Sequence, residues 1–318
     1  MENKNNLQKG ILTGMVSAIA FGTYGTFVNL LGEYGMTGDS LTVILSFVLT
    51  IYFGIVVYMK NKEAFKVEKK MLLFLAVLGF VGFDGQNYCI IQSYSKLPFG
   101  IVAAILFTVS FLVMIGSRIV FGNKITTTKI SAGIVCTIGV FLVLDLFTVI
   151  QTGGFSFDPG SLSWVAGALI TVGGSYVAMK YAMEKGIDGL VVFFYQNLFA
   201  TLGWWVLMFS PVQMMGEITT AISAGGTLCL LGYVLITCMI SFHLWATAIE
   251  MIDPSWVAIA YALDPAVEIL LGFIIFSQTM NLIQCLGFVI IIAAVCYVSY
   301  LEGKEGQPTN TAANTTAN

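Results

Sequence analysis

Residues 40–59 read SLTVILSFVLTIYFGIVVYM, residues 60–70 read KNKEAFKVEKK, and residues 71–94 read MLLFLAVLGFVGFDGQNYCIIQSY. The first block is twenty residues without a charged side chain, and that length crosses about 30 Å of hydrocarbon at 1.5 Å per residue. The second places five lysines in eleven residues. The third is a new, mostly apolar run whose one charged residue is Asp84. Apolar, basic, apolar is the pattern of a helical hairpin through a bilayer, with the lysines retained on the side from which moving them is costly.

The same reading extends to both ends of the 318-residue chain. It is 58% hydrophobic and 10% charged, against roughly 45–50% and about 25% for a soluble domain. Apolar windows fall near residues 10–32, 40–59, 71–94, 98–121, 128–147, 161–183, 188–209, 225–250, 255–277 and 282–301. The expected fold class is therefore an all-α polytopic membrane protein of ten transmembrane helices. Lys60 to Lys70 is the longest loop expected, which leaves no room for a soluble catalytic domain. The first window continues past Gly22 to Leu31, so it reads as a true span rather than a cleaved leader.

The fourteen basic residues report orientation. With the N-terminus inside, thirteen fall on cytoplasmic segments: Lys4, Lys9, Lys60, Lys62, Lys66, Lys69, Lys70, Arg118, Lys124, Lys129, Lys180, Lys185 and Lys304. Only Lys96 falls outside. Both termini are expected in the cytoplasm of a multi-pass protein of the cell (plasma or inner) membrane. Residues 303–318 are polar and without apolar periodicity, and read as a disordered tail.

The two halves resemble each other. Lys96-Leu-Pro98 matches Ile252-Asp-Pro254 at an offset of 156, as do Asn87 with His243 and Thr108 with Asp264. Phe121-Gly-Asn123 matches Phe276-Ser-Gln278 at 155, and Gly133 matches Gly287 at 154. The expected units are residues 1–150 (spans 1–5) and 151–302 (spans 6–10). Five is odd, so the second unit enters the membrane inverted, the architecture of many secondary transporters.

Ten spans in an inverted 5+5 repeat, with proline-opened fourth and ninth helices followed by a short polar turn, resemble the drug/metabolite transporter superfamily and its EamA-type members. The resemblance covers residues 10–301 and implies alternating-access transport of a small organic solute. Members carry amino acids, nucleotide sugars, triose phosphates, quaternary amines and drugs. Where such relatives often have Gly-Glu in the turn and an arginine in the second and seventh spans, this chain has Asn123, Gln278, Ser46 and Gln196.

Charged groups at membrane depth cost about 2.5–3.5 kcal/mol each on insertion scales, so each one asks for a reason. Asp84 lies in mid-span. Asp264 is about 15 Å into the ninth span at 1.5 Å per residue, and Glu268 follows one turn later on the same face as Tyr261. No lysine or arginine shares that depth, which suits a cavity for a cationic or zwitterionic amine, or for a proton exchanged with the solute. The alternative is a structural role satisfied by neighbouring hydroxyls. Tyr24, Tyr88, Trp245 and Tyr261 could present ring faces to an ammonium, while Trp164, Trp204, Trp205 and Trp256, near span ends, read as interface anchors.

The substrate-site candidates are thus Asp84, Asn87, Tyr88, Tyr24, Thr108, Gln196, His243, Tyr261, Asp264 and Glu268. Asp84, Asp264 and Glu250 are candidates for coupling or gating, and Asp253 for a gate or solvated cap. The six cysteines lie within spans without a Cys-x-x-Cys pair and there is one histidine, so neither metal nor cofactor is expected. The net charge of −3 does not suggest nucleic acid. Expected partners are a small-molecule substrate, the lipid bilayer and protons, for a monomer or homodimer. An enzyme is not expected: intramembrane aspartyl proteases carry Gly-x-Gly-Asp, and this chain has Gly82-Phe-Asp84. Rival readings are a proton-coupled exporter of neutral amino acids, metabolites or drugs, and a membrane sensor or assembly partner that moves nothing.

Overall fold

The computed structural model describes residues 2–94, 96–97, 99–152, 159–207, 210–277 and 279–305, and all the regular structure among them is helical. Pro98, Gln278 and residues 306–318 of the tail lie outside the described residues. Among the described residues eight helices are long and apolar enough to cross a membrane: Asn6–Glu33, Gly38–Phe65, Lys69–Ser93, Ile101–Phe121, Gly160–Glu184, Gly189–Val206, Thr227–Met251 and Pro254–Phe276. Numbered by the ten windows expected from the sequence, these correspond to the first to fourth and the sixth to ninth spans. The fifth is a pair, Thr127–Val143 and Leu146–Thr152, bent by 51°. At the place of the expected tenth is the apolar stretch Leu282–Tyr297, within a helix running Leu282–Glu305 and too short to count as a span by itself. By length and composition the count is eight, or nine with the bent pair.

Large apolar side chains cover the outside of the bundle, among them Ile170 at 68% exposure and Ile119 at 76%. Water would penalise such a surface, and lipid does not.

The repeat shows in irregularities that hydropathy does not reveal. The third span is π-helical over Leu78–Gly85 and the eighth over Tyr233–Ile240. Each stretch is eight residues long, and they begin 155 residues apart. The fourth span is broken at Thr108 and the ninth at Tyr261–Ala262. These helices then end on left-handed residues, Gly122 (φ +70°) and Ser277 (φ +52°). Glycine adopts that conformation at no steric cost, whereas a serine there is strained. Packing follows the same pairing: the first span lies on the eighth as the third lies on the sixth, the second pairs with the seventh, and the fifth with the tenth.

The fifth–tenth seam has no spare volume. A Cβ on Gly287 would fall 2.6 Å from the Gly139 carbonyl oxygen and 2.6 Å from the Val143 amide nitrogen, both backbone atoms that cannot move alone. Gly287→Leu is therefore expected to separate these helices at a cost of about 1–3 kcal/mol, read as a lower thermal midpoint in detergent. An unchanged midpoint would contradict the seam.

Two expectations about loops and tryptophans need correction. The longest connection is not Lys60–Lys70, where Lys62–Phe65 adds a 3-10 turn to the second span. The connection after the seventh span holds an amphipathic helix, Pro211–Ser223. Its start is marked by Pro211 in the first turn and by Ser210, whose hydroxyl accepts from the Val212 amide. Val212 and Met215 face outward while Met214 and Ala221 are buried. Glu217 ties this helix to the second span by accepting from the Thr37 amide at 2.9 Å and its hydroxyl at 3.0 Å. Trp204 and Trp256, expected at the lipid interface, are each only 2% exposed and belong to the interior.

Candidate functional site

The first span is broken at Gly22–Thr23, between Glu2–Phe21 and Tyr24–Glu33, and this break packs on the turn that follows the break in the ninth. A Cβ on Gly22 would meet the Asp264 carbonyl oxygen at 2.8 Å, and one on Gly25 would land on the Glu268 carboxylate. Hydroxyls hold these breaks to the eighth span. Ser17 donates to the Ser241 carbonyl at 2.8 Å, and Ser241 donates back to the Ser17 carbonyl at 3.1 Å. The hydrogen of Ser17 being used, Tyr261 donates to it at 2.7 Å. Thr23 donates to the Ala20 carbonyl, so Thr237, inside the π-helical stretch, donates to Thr23 at 2.7 Å.

Aromatic rings surround this junction. Phe21 stacks on Tyr24 at 5.6 Å and lies 6.0 Å from Tyr261, and Trp245 lies 6.0 Å from Tyr261 and 5.2 Å from Tyr176. Asp264 sits in the first turn of Leu263–Phe276, where the partial positive charge of a helix N-terminus favours a carboxylate. Glu268 follows one turn on. Both are partly buried, and no ion pair among the described residues reaches either.

The structure thus brings Tyr24, Trp245, Tyr261, Asp264 and Glu268 together, and adds Phe21 and Tyr176. His243 joins through its neighbours: its Nδ1 is 3.1 Å from the Tyr52 hydroxyl and its ring stacks on Phe53, which meets Phe193, which meets Trp245.

The other candidates lie elsewhere. Asp84 rests over Gly203 and Phe80 on the seam between the third and seventh spans, and both its carboxylate oxygens are buried without a hydrogen-bond partner. Asn87 donates to the Phe83 carbonyl of its own helix, and Tyr88 packs edge-on against Trp164. Thr108 donates to the Ile105 carbonyl at its helix break. Gln196 is buried on the seventh span, where its backbone carbonyl abuts Gly79. Glu250 is exposed at the lysine-rich end, and Lys180 donates to the carbonyls of Ile249 and Glu250 there. Among the described residues no three His, Cys, Asp or Glu side chains converge as a metal site would require.

Asp253 is not solvated. It is 5% exposed, caps the ninth span through the Ser255 amide at 2.8 Å, and pairs with Lys129 at 2.6 Å. Burial pushes its carboxyl up, but the Lys129 charge and the Ser255 hydrogen bonds outweigh this and hold it below the usual carboxylate range. Lys129, expected on a cytoplasmic segment at the start of the fifth span, is itself buried at 6% exposure.

This geometry can be set beside known proteins. The EamA-like transporter family matches residues 8–145 and, a second time, residues 160–300. The chain belongs to that family. No curated protein sequence matches it. A crystal structure titled only as that of a protein superposes with a TM-score of 0.72 at 14% identity, over 92% of this chain and 97% of that one. At that identity the likeness speaks for the fold alone. As an EamA-family protein the chain is a multi-pass membrane protein of a transporter family. Its two family matches are separated by residues 146–159, where the bent end of the fifth span leads to the sixth.

Proposed function

We propose that this protein is a secondary transporter that carries a small organic solute, a cationic or zwitterionic amine, across the cell membrane by alternating access between two five-span repeats. Both termini are on the cytoplasmic side in this reading, because the lysine-rich end is the end retained there. The observation that carries it is the pair Asp264 and Glu268. These carboxylates lie one turn apart on the helix that follows Tyr261, where it packs on the broken first span beside a cluster of rings, with no ion pair to either among the described residues.

A charge inside a membrane protein needs a partner, and a solute that arrives with an ammonium supplies one. The rings of Tyr24, Tyr261 and Trp245 add cation–π attraction of roughly 0.5–2 kcal/mol for a desolvated cation. Broken helices at membrane depth are where transporters of inverted-repeat construction hold their solute, since the freed backbone groups and helix ends face a cavity rather than lipid. Asp84, apart from this cluster and uncompensated, is proposed as the acid that exchanges a proton with the transport cycle.

The test is uptake of a labelled quaternary ammonium or polyamine into proteoliposomes holding the purified protein, with and without an imposed pH gradient. Saturable uptake, competed by unlabelled amines and not by anionic or neutral analogues of the same size, is expected. Equal competition by neutral amino acids would replace the amine by a neutral solute and leave the acids to coupling alone. Ligand binding without flux would make the protein a sensor.

A further inference from the structure

At the lysine-rich end the two repeats are clasped by one buried carboxylate. Asp253 Oδ1 accepts from Ser117 Oγ at 3.1 Å and from the Ser255 amide and hydroxyl at 2.8 and 2.7 Å. Oδ2 accepts from Asn123 Nδ2 at 2.8 Å and Lys129 Nζ at 2.6 Å. The Lys129 ammonium lies 5.4 Å from the centre of the Trp256 ring, and the two charged side chains are 7% and 2% exposed. Ser117, Asn123 and Lys129 come from the first repeat, and Asp253, Ser255 and Trp256 from the second.

Among the described residues the opposite end has no ion pair: there the repeats are joined by hydrogen bonds from uncharged donors, Asn281 to Asp145 at 2.6 Å and the Thr37 amide to Glu217 at 2.9 Å. At the offset of 156, Asp253 corresponds to Leu97, and at 154 or 155, Lys129 corresponds to Ile283 or Gln284. None of these is charged, and Gln284 donates to the Val143 carbonyl. The packing of the fourth and ninth spans agrees. The half of the fourth span nearest the clasp, Val109–Phe121, packs on Pro254–Ala260, the start of the ninth. Its other half, Phe99–Phe107, packs on the fifth and sixth spans, and the other half of the ninth, Leu263–Phe276, on the first, fifth and tenth. The two helices meet at the lysine-rich end and diverge towards the other.

We propose that the Lys129–Asp253 pair, with Ser117 and Asn123, is a one-sided latch that holds the carrier shut at its lysine-rich end, so that its resting state opens to the opposite side. This rests on the alternating-access reading above and deepens it. An inverted repeat would by symmetry populate its two facing states alike; a charge pair present at one end only removes that balance. Opening the lysine-rich end separates the two repeats where they clasp, and a buried pair is costly to part because each charge is left uncompensated. Solute binding must therefore favour the opened state by enough to offset the latch.

The test reads accessibility and needs no flux. Ser110 is 4% exposed and lies two turns inside Ser117 on the same helix face. Ser110→Cys is introduced in the full chain, a membrane-impermeant thiol reagent is applied from the lysine-rich side of oriented vesicles, and labelling at residue 110 is followed by mass spectrometry. The residue is expected to be shielded in this parent and in Lys129→Arg, which keeps the pair. In Lys129→Met/Asp253→Asn, which removes both charges and retains a capping side chain, labelling is expected to rise at least tenfold. Asn123→Ala, which removes one hydrogen bond and no charge, is expected to raise it two- to fivefold. The thermal midpoint of each variant shows that it is folded.

Labelling equal to the parent in the folded double variant, or in Asn123→Ala should the double variant melt, overturns the latch. Labelling that rises in a protein that carries no amine leaves the latch standing and removes the proposed substrate, so the two failures are distinct.

Discussion

Asp264→Asn is expected to abolish amine uptake and to weaken equilibrium binding of a quaternary ammonium by on the order of 10³, with the thermal midpoint shifted by only a few degrees. The amide matches the carboxylate in volume, so packing against Tyr261 and the helix start is retained. The charge is what disappears. A carboxylate and an ammonium 4 Å apart attract by about 4 kcal/mol at an effective dielectric of 20, and each 1.4 kcal/mol is about a factor of ten in affinity. Asp84→Asn gives the contrasting result. Its carboxylate lies over Gly203 on the seam of the third and seventh spans, so equilibrium amine binding is expected to persist while uptake driven by a pH gradient is lost. The measurements are isothermal titration or thermal shift for binding and proteoliposome flux for transport. If Asp264→Asn binds and carries amines as the parent does, the carboxylate cluster is not the substrate site.

The span positions were legible because lipid imposes one dominant requirement, a run of apolar residues of fixed length, and the windows at 40–59 and 71–94 agree with helices Gly38–Phe65 and Lys69–Ser93. The repeat was legible for a similar reason: an offset of 155 relates Phe121-Gly-Asn123 to Phe276-Ser-Gln278, and the structure bends both Gly122 and Ser277 into the left-handed region. The amphipathic helix Pro211–Ser223 escaped because a run that is apolar on one face only falls below a window average. Its Ser-Pro start was nevertheless available in the sequence.

The site was only half legible. Depth along a span can be counted, and that count alone is the ground for expecting Asp84, Asp264 and Glu268 in mid-span. Which helix face meets which neighbour is a tertiary property, and it separates Asp84 from the other two acids. Phe21, Tyr176 and Phe193 could not be distinguished in the sequence from any other aromatic residue in a span. Lys129 and Asp253 were misplaced because a lysine near a span end is ordinarily solvated; only the approach of the first repeat's fourth and fifth spans to the start of the ninth removes water from both.

Gly25 offers a second large effect by a different route. Its missing side chain leaves the space that the Glu268 carboxylate fills, while one turn earlier Gly22 faces the Asp264 carbonyl and the Val267 side chain. The two glycines therefore predict different outcomes for the same change. At Gly22 a methyl group would press on backbone at 2.8 Å, so Gly22→Val is expected to separate the first and ninth spans and to lower the thermal midpoint. At Gly25 the obstacle is the far end of a flexible side chain, which can turn away. Gly25→Val is thus expected to leave the fold intact, displace Glu268 from the ring cluster, and weaken amine binding at least tenfold. If displacement of Glu268 is the cause, Glu268→Gln should show a loss of similar size, and the two changes together should cost little more than either alone, since residues acting through one contact are not additive. Additive losses in the double variant, or full amine affinity in Gly25→Val, would mean that Glu268 contributes nothing to the solute and only fills the space beside the first span.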